Sequence, residues 1–229
     1  MSVSKPAATV PVLEPGDRLT REEFERRYEA MPNLKKAELI EGVVYMPSPV
    51  RLKRHASPHF LLISWLGHYA TYTPCVIGAA NATARLDMGN DPQPDALLLI
   101  DPECGGQAII SADDYVESGP ELTGEISGST VSFDLHTKKA VYRRNGVREY
   151  IVWRVLDEAI DWFASRSGDF EALTPEAAGI LRSEVFPGLW LDAAALIRGD
   201  MPRVLAVLDQ GLATAEHAAF LKKYPRPHS

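Results

Sequence analysis

Residues 121–154, ELTGEISGSTVSFDLHTKKAVYRRNGVREYIVWR, decide the fold. ELTGEIS reads as a strand, and EYIVWRV as a strong central strand rich in β-branched and aromatic residues. Between them SFDLHTKKAVYRRNG reads as a helix closed by Gly146 at its C-cap. Val131, Leu135, Lys138 and Tyr142 fall at i, i+4, i+7 and i+11, one stripe of an amphipathic helix. Ser132, His136, Lys139 and Arg143 form the opposite, solvated stripe. Lys138 therefore belongs to the side that packs on the sheet, and Lys139 to the side that faces water.

Working outward, PDALLLID upstream is a buried strand ended by Asp101 and Pro102, and VIGAANATARLD a strand pair or a bent strand. Arg51 to Tyr72 is helical, with Phe60, Ile63, Leu66 and Ala70 repeating at intervals of three and four and Pro74 closing it. In AELIEGVVYMPSP, Leu39, Val43 and Tyr45 fall on one side of a strand or hairpin that stops at Pro47 and Pro49. Thr20 and Glu23 read as a capping box opening a short helix with Phe24 and Tyr28 as its apolar pair. Residues 1–17 read as a mobile arm. Downstream, AIDWFAS and DFEAL form a hairpin turning at Ser167-Gly168-Asp169, and the chain beyond Gly188 is helical. Helices thus alternate with strands, which gives an α/β (α+β) fold with one mixed sheet.

A length of 229 residues suits one medium domain with additions, and 45% hydrophobic residues suffice for a full core. The formal net charge of -7 argues against a sequence-independent coat for polyanions. It leaves room for a nuclease whose acidic residues hold a metal. Cys75 and Cys104 stand alone, without a zinc-spaced cluster, and read as small, buried or reduced thiols of a cytoplasmic protein. No segment reads as a signal peptide or a membrane span. There is no Gly-rich phosphate loop and no Gly-x-Ser-x-Gly elbow, so acyl transfer fits poorly.

Two strand-borne carboxylates remain. Asp95 opens PDALLLI, and Glu125 lies among Leu122, Gly124 and Ile126. A carboxylate in such surroundings is costly unless it is paired or bound to a cation. Two on adjacent strands supply the oxygen ligands that Mg2+ (or Mn2+) prefers. The plain alternative is that each ends a strand or pairs with an Arg. Lys138 either snorkels to water, pairs with Asp134 one turn earlier, or meets the acidic strand ends, where its ammonium would orient or activate a water.

Four segments, AELIEGVVYMPSP, QPDALLLI, ELTGEISGST and DLHTKKAVYRRNGVREYIVW, resemble the Uma-two family of candidate restriction endonucleases, within the PD-(D/E)XK nuclease superfamily. The resemblance runs from Leu19 to Leu191. It implies a restriction-endonuclease-like core of mixed sheet and flanking helices over residues 18–191, with residues 192–229 as a C-terminal helical extension. It further implies Asp95 and Glu125 as the two acidic motif residues. Where the superfamily places a lysine two residues after the second acid, this chain has Ser127; the family pattern puts the lysine on the next helix, and the matching residue is Lys138. Glu38 matches another acidic position and is an auxiliary metal ligand or an ordinary ion-pairing residue. His55 matches a family histidine that contacts phosphate or caps the helix, and Gln93 is a turn residue or a contact to the metal's water shell.

The expected activity is metal-dependent hydrolysis of phosphodiester bonds, of DNA first, with Asp95, Glu125 and Glu38 on the metal and Lys138 orienting the water. The competing reading is a non-catalytic nuclease-fold scaffold for binding or dimerisation. In either reading Val204, Leu205 and Leu208, and Ala218, Phe220 and Leu221, complete the core or bury a partner subunit in a homodimer. Two basic patches flank the proposed site, Arg51, Lys53 and Arg54 before the long helix and Arg143, Arg144 and Arg148 after the second. They grip phosphates or are solvated helix ends.

Overall fold

A computed structural model describes residues 10–46 and 50–224. Pro47 and Pro49, expected to stop the first hairpin, and the first nine residues of the arm lie outside the described residues. Along the chain run α1 (Arg21–Glu29), β1 (Glu38–Ile40), β2 (Val43–Tyr45), α2 (Ser57–Tyr72), β3 (Val76–Ala79), β4 (Ala84–Arg85), β5 (Ala96–Ile100), β6 (Ile109–Ile110), β7 (Val116–Glu117) and β8 (Leu122–Ser127). Then come α3 (Lys139–Arg144), β9 (Glu149–Arg154), β10 (Ala159–Arg166), β11 (Asp169–Ala172), β12 (Ile180–Arg182), β13 (Trp190–Asp192), α4 (Ala193–Ile197), α5 (Met201–Leu212) and α6 (Ala215–Lys223).

The central sheet has the order β11-β10-β9-β8-β5-β3. β8 and β9 are parallel, joined through the helical segment of the opening stretch, and every other neighbouring pair is antiparallel. This is the expected mixed sheet flanked by helices. Every residue of β8 is buried, as befits a strand covered on both faces. On one face Leu62, Trp65, Leu66 and Tyr69 of α2 pack on Leu98, Leu122, Ile126 and Ile151. Gly124 permits that approach: a Cβ there would lie 3.3 Å from the Leu62 side chain. On the other face Tyr142 and Val147 join Tyr150, Val152 and Phe163, while Leu97 and Leu99 are covered by Ala84 and Val116 of the small sheet β4-β7-β6.

Several expectations shift. In α2 the buried stripe is Leu62, Trp65, Leu66 and Tyr69, and Phe60 is exposed. The helix is apolar nearly all round, so its repeat did not select a face. In the first hairpin Leu39 pairs with Val44 and both are buried, whereas Tyr45 is exposed, because the turn at Glu41-Gly42 sets that register. Cys75 and Cys104 form a disulfide and are not reduced thiols. The register Val76↔Ile100 carries Cys75 beside the end of β5, and Cys104 follows in the next turn. Val204, Leu208 and Phe220 enter the main core, so those apolar residues complete it, while Ala218 is exposed. Within residues 10–17 Leu13 is buried against Phe24 and Leu39. Among the described residues no helix is long and apolar enough to cross a membrane.

Candidate functional site

Two helical segments with five-residue hydrogen bonding bracket the acidic strands. Leu52–Ala56 precedes α2, and Phe133–Lys138 leads into α3. Such winding turns less per residue than an α-helix, so side chains four apart stay aligned. The buried line is accordingly Asp134, Lys138 and Tyr142 with Val141, while Val131 and Leu135 are only half-buried. Val147 N–H bonds Tyr142 O and Gly146 adopts φ +79°, the left-handed closure expected at the helix end.

β5 and β8 pair at Ala96↔Gly124, and one further step of that register sets Asp95 opposite Glu125 on the face beneath the α3 segment. Directly opposed side chains in such a pair have Cβ atoms about 4.5–5.5 Å apart. Both carboxylates are buried, at 3% and 4% exposure. The Asp95 Oδ2 accepts from the Ile126 backbone N–H at 2.8 Å and from His55 Nε2 at 3.1 Å, and Lys36 Nζ lies 3.5 Å from Oδ1. Burial works against ionisation of Asp95, but the His55 hydrogen bond, the Lys36 charge and the Ile126 N–H together hold its carboxyl well below the usual range.

Lys138 is 4% exposed, and its ammonium donates to Glu125 Oε1 at 3.0 Å and to Glu38 Oε1 at 2.9 Å. Tyr142 Oη donates to the same Glu125 oxygen at 2.7 Å. Burial drives the Glu125 carboxyl up, to about 8, with Asp95 and Glu38 adding to the rise and Lys138 opposing it. Burial alone would lower Lys138, yet the surrounding Glu125, Glu38 and Asp134 raise it, so the ammonium keeps its proton. Asp134 does not form the i, i+4 ion pair open to it; its Oδ2 accepts from Thr130 Oγ1 at 2.5 Å.

Asp95, Glu125, Lys138 and Glu38 thus come together, and so do two residues that the sequence reading did not place there. His55 reaches Asp95 across forty residues of chain, and Lys36 stands two residues before Glu38. The KKAEL run was the signal available for Lys36, although nothing local distinguishes it from Lys35. Gln93 takes a structural part: its backbone N–H donates to Glu38 Oε1 at 2.7 Å and its side chain to Tyr28 Oη at 3.3 Å. Ser127 is buried with its hydroxyl 3.4 Å from Thr130 Oγ1, and the helix-borne Lys138 occupies the neighbourhood of Glu125.

The donor set suits a divalent cation in one respect. Among the described residues four buried carboxylates, Glu38, Asp95, Glu125 and Asp134, face the two ammonium groups of Lys36 and Lys138 and the imidazole of His55. All hydrogen bonds received by Glu38 and Glu125 among the described residues fall on Oε1, so a second oxygen of each is available. Among the described residues no group of three or more His, Cys, Asp or Glu side chains converges to hold a metal. A Mg2+ site needs no such cage, since one or two carboxylates with waters and a phosphate oxygen complete its shell.

The Uma2 family model, whose description is "Putative restriction endonuclease", matches residues 21–194. The chain belongs to the Uma2 family. That match spans α1 through the start of α4 and includes every residue of the acidic cluster. Among solved structures, this Uma2 chain is similar to a putative nuclease belonging to DUF820 from Anabaena variabilis ATCC 29413, at 12% identity and a TM-score of 0.56. The likeness covers 75% of this chain and 97% of that one, and it shows a shared fold. No curated protein matches the chain.

Proposed function

We propose that the protein is a metal-dependent endonuclease that hydrolyses phosphodiester bonds of DNA at the Asp95–Glu125–Lys138 cluster. The observation that carries this reading is Lys138 Nζ, buried 3.0 Å from Glu125 on a strand pair that opposes Glu125 to Asp95. Asp95 and Glu125, with Glu38 alongside, would hold Mg2+ or Mn2+, which supplies Lewis-acid activation of water and of a phosphoryl oxygen. His55, Lys36 and the Ile126 N–H keep Asp95 ionised and fixed. Tyr142 and Lys138 orient Glu125. The Lys138 ammonium, protonated and preorganised, orients the attacking water and stabilises the charge that builds on the phosphoryl oxygens.

Supercoiled plasmid incubated with Mg2+ or Mn2+ tests this. The expected result is nicking or linearisation by the wild type and loss of both with Asp95→Asn or Glu125→Gln. An intact plasmid with every divalent ion, from protein that binds none of them by calorimetry, would leave the scaffold reading in its place.

A further inference from the structure

The basic residues near the cluster divide into two sets once their ion pairs are followed. Arg143 is held by Asp169 at 2.8 Å, Arg144 by Glu41 and Asp87, and Arg148 donates to Gln107 at 2.6 Å. The charges of Arg143 and Arg144 are committed within the molecule, whereas Arg148 meets only a neutral amide and forms no salt bridge among the described residues. Arg51, Lys53 and Arg54, before and on the turn Leu52–Ala56, are exposed and form no salt bridge among the described residues. Lys53 also lines a groove of about 440 Å³ whose walls include Ser57, Leu61, Trp153, Glu158 and Arg198. Arg198 is exposed and forms no salt bridge either; Asp192, whose field it adds to, is already paired with Arg203 at 2.9 Å. The groove holds one exposed carboxylate, Glu158, against two unpaired cations, on a chain whose net charge is -7.

Its place in the fold links it to the acidic cluster. Trp153 pairs with Ile126, the residue after Glu125 and the one whose N–H binds Asp95. His55, two residues beyond Lys53, hydrogen-bonds Asp95. Groove and carboxylates therefore lie at the same end of the sheet but against its opposite faces, Trp153 on the α2 side and Glu125 on the α3 side, with the turn Leu52–Ala56 between them. The backbone of that turn is fixed from below: a Cβ at Gly128 would stand 2.7 Å from Arg54 O, so the loop leaving β8 is closed against it.

We infer that this groove seats the sugar-phosphate backbone of DNA as it leaves the acidic cluster, with Lys53 and Arg198 each on a phosphate. The inference rests on the endonuclease reading and extends it to how the substrate is gripped. The apolar walls formed by Leu61 and Trp153 offer nothing to read a base edge, so this contact contributes affinity without sequence preference.

Anisotropy of a labelled DNA duplex between about 50 and 200 mM salt, with Ca2+ replacing Mg2+ so that the duplex stays whole, tests it. Each phosphate contact accounts for about 0.9 in the slope of log affinity against log salt. The pair Lys53→Gln with Arg198→Gln should flatten the slope by about 1.8 and weaken binding about 60-fold at 0.1 M salt. Arg143→Gln with Arg144→Gln should leave the slope unchanged. Thermal unfolding of both pairs, and the charge-keeping Lys53→Arg with Arg198→Lys, separate lost contacts from lost fold. If the wild type binds and cuts DNA while the groove pair is unaffected, or the second pair carries the slope, the groove assignment falls and the endonuclease reading stands. If the wild type binds no duplex with any cation, both fall.

Discussion

Replacing Lys138 by Met removes one ammonium and leaves the volume nearly filled, so the consequence is electrostatic. Lys138 is buried, with Glu38 and Glu125 as its only hydrogen-bond partners among the described residues. Removing one partner from a buried ion pair costs about 3–5 kcal/mol, because the other charge is left uncompensated. The charge left uncompensated at pH 7 is that of Glu38, because Glu125 already holds its proton there. Its carboxyl is already raised from 4.5 to about 8 with Lys138 present, and loss of that opposing charge raises it further. A raised carboxyl stabilises the fold at low pH, and that stability is lost as pH climbs from the unfolded value through the folded one. In the wild type this loss runs from about 4.5 to about 8 and then stops. In the variant it continues above pH 8, at up to about 1.4 kcal/mol for each further unit. Urea unfolding should therefore show a deficit of about 3 kcal/mol at pH 7 that widens at pH 9. Saturating Mg2+ should recover more stability in the variant than in the wild type, because the site has lost its internal counter-charge. A deficit below about 1 kcal/mol, or one that does not change between pH 7 and pH 9, would refute the reasoning.

Three further outcomes follow from the same geometry. Cys75 and Cys104 are 29 residues apart in sequence, so replacing both by Ser, or reducing the bond, should lower stability by about 3–4 kcal/mol, read from urea midpoints in the presence and absence of reductant. Gly128→Ala should cost about 1–3 kcal/mol by driving a Cβ into Arg54 O, and plasmid cleavage should fall further than stability does as His55 is displaced from Asp95. His55→Ala should cost about 1.5–3 kcal/mol above neutral pH, as for a hydrogen bond to a charged group. Asp95 is held low in the fold, so its contribution is present above the unfolded value of 3.8 and lost as pH falls below it, which a urea series on the wild type down to pH 3 reads.

The parts of this architecture that rest on local pattern were legible in the sequence. The strands around Glu125 and Tyr150, the turn at Ser167-Gly168 and the closing Gly146 each depend on a few neighbouring residues. So did the assignment of Lys138 to the sheet side; Lys139, expected to face water, is instead half-buried over the Phe163 ring of β10. The rest depends on register and approach between distant segments. His55 on Asp95, Lys36 on Asp95 and the cystine are fixed by how α2, β1 and β3 dock against β5. In α2, consecutive apolar residues from Phe60 to Ile63 gave the helical period nothing to discriminate, so the buried face was set by tertiary packing. The five-residue winding at Phe133–Lys138 was equally invisible, and it is what aligns Asp134, Lys138 and Tyr142 over Glu125.

The central claim is that Asp95 and Glu125 are kept together to bind a divalent cation. Crystals soaked in Mn2+ and measured at the manganese absorption edge test it directly. The account predicts an anomalous peak in contact with a carboxylate oxygen of each residue, absent from Asp95→Asn crystals. Mn2+ found elsewhere, or a cluster in which Lys138 and a proton on Glu125 leave no peak at saturating Mn2+, would contradict it.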